Sequence, residues 1–201
     1  MKNAVTILKS EHRSISAVVQ ALKELARMAQ DPKVQPDWRP FRAILRYIDE
    51  YPERLHHPKE DKFLFARLGK RCTDARKLIE DLKGEHVQGA RLIRELERAF
   101  VFFEERWPQG GREFLAAVDD YAEFHWAHMR KEEQQLLPLA ERHFTPEDWE
   151  AVDNAFAGTT DPLQSVKERD FDSLLSRIAS LAPAPVGLGD PWKKAKPGAR
   201  D

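Results

Sequence analysis

The sequence predicts an all-α fold, a four-helix bundle followed by additional C-terminal helices and a disordered tail. Apolar residues recur at spacings of three and four along four long segments, the period of a helix with one buried face. Stretches rich in proline or glycine separate those segments. On each apolar stripe at least one histidine interrupts the run, and two segments carry the order His-x-x-x-Glu, which sets both side chains on one face.

At 201 residues and 41% hydrophobic content the chain can bury one good-sized core. The expected organisation is a bundle over 1–143, a helical extension over 144–182 and a tail over 183–201. Basic and acidic residues number 33 and 34, so the net charge of −1 gives no global reason to expect nucleic-acid binding. Cys72 is the one cysteine, which excludes an intramolecular disulfide and points to a reducing cytoplasm. No run approaches the roughly 18 apolar residues of a membrane span. The start, MKNAVTILKSEH, meets charge too soon for a secretory signal. A cytoplasmic protein without membrane contact is expected.

The first helix is expected from Val5 to Gln30, with Leu8, His12, Ile15, Val19, Leu22 and Ala26 as its stripe. Pro32, Pro36 and Pro40 make the following stretch a connection. A second helix is expected from Pro40 or Phe41 to Leu68, capped by Gly69, with Phe41, Leu45, Ile48, His56, Glu60 and Phe63 or Leu64 facing inward. Pro52 and Pro58 each remove a backbone hydrogen bond and should bend it; two separate helices are the alternative.

A third helix spans Thr73 to Arg106, with Leu78, Leu82, His86, Gly89, Ile93, Leu96 and Phe100 on one face. Gly89 costs about 1 kcal/mol relative to alanine in a helix interior, and either leaves room for a ligand or a close helix or is a tolerated defect. Trp107 to Gly111 is a break. The fourth helix runs from Arg112 to His143 with Leu115, Val118, Tyr121, His125, His128, Glu132 and Leu139 inward; Pro138 should kink or stop its last turn. Thr145 and Pro146 start a short helix to Ala157. A last helix is expected from Asp161 or Asp170 to Leu181, and the Pro-, Gly- and Lys-rich remainder is expected to be disordered. Lys193, Lys194 and Lys196 there suit a solvated tail, or contact with an anionic partner.

Four stripes thus bring His12, His56, Glu60, His86, His128 and Glu132 to one interior. Left without partners, each such group would cost roughly 1 to 3 kcal/mol, a cost that a bound cation removes. A buried polar network without metal is the structural alternative. Six N and O ligands exceed what one tetrahedral zinc uses and suit two metals of the iron or manganese type. His125 shares the face of His128, as a further ligand or as a hydrogen-bonding residue behind the ligands. His57 should point about 100° away from His56, toward the surface or behind the ligands. His143 is read as solvated or capping, and Asp61 and Glu133 as solvent-facing neighbours.

The ordered set, His12 in SEH, His56 and Glu60 in HHPKED, His86 in GEH, and His128 and Glu132 in HMRKEE, resembles the hemerythrin-like (HHE cation-binding) domains. The resemblance implies an up-down four-helix bundle around a non-haem di-iron centre of two Fe ions bridged by Glu60 and Glu132. It further implies binding or sensing of O2 or NO, or iron handling; an enzyme turning over peroxide, O2 or NO is the alternative. The respiratory members place two histidines on the third helix, whereas only His86 stands on that helix here. The apolar residues of the C-terminal extension, Thr145 to Leu181, are expected to pack across the bundle or to mediate a homodimer.

Overall fold

The computed structural model describes residues 3–158 and 173–195. Helix α1 is Asn3–Met28. Helix α2 runs without a break over 39–71, and α3 is Arg76–Arg106, entered by a 3-10 turn at Thr73–Ala75. Helix α4 covers 111–143, α5 is Pro146–Phe156, and residues 173–181 form α6. A two-residue strand β1, Val34–Gln35, pairs antiparallel with β2, Lys193–Lys194.

The sequence expectations of four long helices, with a connection at 31–40 and a break at 107–111, agree with this architecture to within two residues. Gly110 takes a left-handed φ of 81° at the start of α4, a conformation that glycine adopts without steric cost. One boundary differs from expectation: Gly69 lies inside α2, which ends against the extended Cys72, whereas α4 continues past Pro138 to the expected His143.

Prolines inside α2 and α4 are accommodated by π turns. In α2 these are Asp49–His56 and Glu60–Phe65, and in α4 Glu132–Leu136. At each end a backbone N–H reaches five residues back: His57 to Pro52, Ala66 to Asp61 and Leu137 to Glu132. A proline lacks the N–H and crowds the carbonyl four residues earlier, and one wider turn relieves that crowding without ending the helix. Pro52 sits within such a turn, Pro58 lies between two, and Pro138 follows the third. Glu60 and Glu132 each open a π turn, so the two His-x-x-x-Glu pairs end in the same local geometry.

The core has two apolar parts. One contains Ile15, Leu22, Phe41, Ile44, Ile93, Phe103, Phe114 and Tyr121; the other contains Leu8, Leu64, Phe65, Leu82, Leu136, Val152 and Phe156. Along each of the four long helices the buried histidines fall between residues of the first part and residues of the second. A polar layer therefore crosses the bundle between two apolar ends.

Helix α5 closes the end nearer Leu8. Thr145 caps it: its side chain accepts from the Asp148 backbone N–H, and Asp148 accepts from the Thr145 N–H. From α6, Ile178 and Ala182 bury against the other apolar part, while Phe171 lies outside the described residues. The expectation of disorder from 183 onward is corrected over 183–195. Trp192 stacks on Phe41 with ring centroids 6.0 Å apart, and the Ala195 N–H donates to the Lys33 carbonyl. The Pro/Gly/Lys composition concealed one large aromatic anchor, whose burial offsets the ordering of a short segment. Among the described residues no helix is long and apolar enough to cross a membrane.

Candidate metal centre

The polar layer is built by α1, α2, α3 and α4. His12, His56, His57, His86, His125 and His128 are all buried, and the carboxylates of Glu60 and Glu132 are almost wholly withdrawn from solvent. Both oxygens of Glu60, both of Glu132, and Nε2 of His12 and of His56 have no hydrogen-bond partner. Buried polar groups are seldom left so, because each unmade bond is costly. Six unpartnered donor-set atoms converging on one layer are what a cation site requires.

The two carboxylates face both ways. Glu60 Oε1 lies 3.4 Å from His56 Nε2 and 3.7 Å from His12 Nε2, while its Oε2 lies 3.7 Å from His86 Nε2. Glu132 Oε1 lies 3.4 Å from His128 Nε2 and 3.8 Å from His86 Nε2, while its Oε2 lies 3.3 Å from His12 Nε2. Two groups result that could each hold an ion: His57, Glu60, His86 and His128 on one side, and His12, His56 and Glu60 on the other. On the first side, the Nε2 atoms of His86 and His128 meet at 3.1 Å, a separation that one shared proton or one shared ion can fill.

Behind the histidines stands a ring of carboxylates. Nδ1 of His12 is hydrogen-bonded to Glu133 at 2.9 Å, that of His56 to Glu11 at 2.8 Å, and that of His128 to Glu85 at 2.9 Å. His86 Nδ1 approaches Asp61 at 3.2 Å, and His57 Nδ1 approaches Glu53 at 3.4 Å. A carboxylate that accepts a hydrogen bond from Nδ1–H selects the tautomer whose Nε2 lone pair is free, the form a metal needs. Two lysines balance part of this charge: the buried Lys59 on Glu11 and Lys131 on Glu85.

The same charges govern protonation. Burial opposes the cationic form of His12, but Glu132 and Glu60 outweigh it and raise its pKa well above the usual histidine value. Burial is likewise outweighed at His86, raised to about 9 with Asp61 and Glu132 as partners, and at His128, raised to about 10 chiefly by Glu132. Burial dominates at His57 and His125, whose pKa values fall. Glu132 is held well below the carboxylate range despite its burial, by His128 and His12. The Glu132 carboxylate therefore stays anionic in this layer and draws in positive charge.

All six residues expected from the sequence stripes lie in this layer. His57 corrects the sequence reading. It is 4% exposed and stacked on His86 with centroids 4.2 Å apart, because the π turn before it re-phases α2 and carries both adjacent histidines inward. His125 belongs to neither group. Its Nε2 meets the Tyr121 hydroxyl and lies 3.3 Å from Glu53 Oε1. Asp61 and Glu133 are only partly exposed and contact ligand-type histidines. Sequence reasoning missed Glu53 altogether. Its signal was an acidic residue four before His57, the spacing of one helix face. The room beside Gly89 is filled by this residue: a Cβ there would lie 3.1 Å from Glu53 Oε1.

A cleft between α1 and α4, lined by His12, Arg13, Trp126, Met129, Arg130 and Glu133, opens over the His12 side. Comparison with known families gives one match: the model of the hemerythrin HHE cation-binding domain covers residues 3–140. No curated protein matches the chain.

Proposed function

Since the chain belongs to the hemerythrin HHE cation-binding family, we propose that it is a non-haem di-iron protein that binds or senses O2 or NO, or handles iron. The carrying observation is the two-faced disposition of Glu60 and Glu132, each with one oxygen toward His12 or His56 and the other toward His86 or His128. His57, His86 and His128 would hold one ion and His12 and His56 the other, with both carboxylates shared. His57 thereby supplies from α2 the third histidine that α3 lacks.

Bound iron would supply the redox couple and the open coordination position for a small ligand. The chain's own residues make the two positions unequal. Three histidines would serve one ion and two the other, so the His12 side would offer fewer protein donors, and the cleft lined by His12 lies on that side. The outer carboxylates fix the ring orientations, and the apolar residues at both ends exclude bulk water.

A second reading, turnover of peroxide, O2 or NO, has one observation in its favour. The Tyr121 hydroxyl, His125 and Glu53 form a buried run that ends at His57 and can hold a proton next to the centre. Metal content and the ultraviolet-visible spectrum of anaerobically iron-loaded, then aerated, protein test the first reading. About two irons per chain are expected, and one or fewer would overturn it. Peroxide and NO consumption by the same preparation tests the second.

A further inference from the structure

Glu53 differs from the other carboxylates that stand behind the histidines. Glu11 and Glu85 are each paired with a lysine. Glu133 and Asp61 are 34% and 35% exposed, so water and salt screen them. Glu53 is 4% exposed and, among the described residues, forms no ion pair with lysine or arginine. Its partners are His57, His125 and the Tyr121 hydroxyl.

Two imidazole rings and one hydroxyl surround this carboxylate in a low-dielectric interior, where charge–charge interactions are strongest. The protein keeps this arrangement at the expense of a glycine inside α3, since a side chain at Gly89 would press on the carboxylate.

We propose that Glu53 is the positioning residue that sets the oxidation state of the metal centre: its uncompensated charge beside His57 favours the more highly charged, oxidised ions and holds the reduction potential down. This rests on the di-iron reading above. Glu53 Oε2 also faces His57 Nδ1 at 3.4 Å, so its charge orients that ring and makes it more electron-rich. The Tyr121 hydroxyl, 3.2 Å from Glu53 Oε1, donates to the carboxylate and draws off part of its charge.

The test is spectroelectrochemical titration of the iron-loaded full chain. Glu53→Gln keeps shape and removes charge, so at fixed ambient potential its reduced-to-oxidised ratio should rise about tenfold or more, about 59 mV for one electron. Glu133→Gln and Asp61→Asn, at screened positions, should change it by less than about threefold. Tyr121→Phe takes a donor from Glu53 and should shift the ratio the other way. A general loosening of the site would move Glu53→Gln and Tyr121→Phe in the same direction. Opposite shifts support the inference. Equal shifts in Glu53→Gln and Glu133→Gln, or shifts of one sign in Glu53→Gln and Tyr121→Phe, overturn it. If Glu53→Gln does not load iron, Tyr121→Phe decides against wild type: a lowered ratio supports the inference and an unchanged or raised one overturns it. Wild-type protein that takes up no iron defeats the di-iron reading itself, before any potential is measured.

Discussion

His56 and His57 are neighbours in sequence, yet both project into the same polar layer. Their roles follow from what each ring nitrogen meets: one faces a carboxylate behind it and the other faces the shared carboxylates or the opposing histidines. We expect His57→Ala to weaken iron binding at least as much as the 10- to 100-fold that loss of an outer hydrogen bond costs. His143→Ala, at an exposed position near the end of α4, should leave it unchanged. Competition with a chelator measures both. Glu60→Ala and Glu132→Ala should each release both ions, whereas His56→Ala should spare the His86 side; iron per chain and the magnetic coupling between ions separate these outcomes.

At the scale of the element, the short helix α5 is held at its first turn by Asp148. That carboxylate accepts from the Thr145 N–H, from Arg71 at 2.6 Å and from Arg67 at 3.1 Å. Burial would raise its pKa, but Arg71, Thr145 and Arg67 together lower it below 3.8. A depressed folded pKa gives stability that is present above the unfolded value and lost as the pH falls through the folded one. Metal-free protein should therefore lose stability as the pH drops from about 5 to about 3, and Asp148→Ala should flatten that part of the profile. At pH 7 the variant should be less stable by about 1 to 2 kcal/mol, the worth of a lost cap and its charge-assisted bonds. Denaturant titration at several pH values checks this, and iron content should not change.

For the whole molecule, the C-terminal third covers both ends of the bundle. Val152, Ala155 and Phe156 bury against Leu8 and Phe65, and Ile178 and Ala182 against the opposite part. Phe156 also lies under the buried Lys59, 4.7 Å from its ring centre. Large apolar side chains contribute roughly 1.5 to 3 kcal/mol each when fully buried. Truncation after His143 leaves every residue of the polar layer in place but uncovers these surfaces. The expected product binds iron, melts at a lower temperature, and aggregates or associates. Size-exclusion chromatography with iron analysis tests this; loss of iron from a folded truncated chain would mean that α5 supports the centre through Lys59 and Glu11.

Period and punctuation in the sequence determined a great deal: four amphipathic helices, the breaks between them, the Thr145 cap, and a stripe position for His12, His56, Glu60, His86, His128 and Glu132. These are local properties, since a helical period places residues on a face whatever that face later meets. Only the tertiary structure decided the rest. The period of 3.6 that turned His57 outward fails where Pro52 widens a turn, and the extent of that widening depends on what packs around it. The choice of Glu53, Glu11, Glu85, Asp61 and Glu133 as partners of the histidine rings depends largely on which helices lie side by side. The return of Trp192 onto Phe41 depends on a surface assembled from residues far apart in the chain. The six inward polar positions were legible because they follow a helical repeat, whereas charge balance and ring orientation arise from contacts between helices.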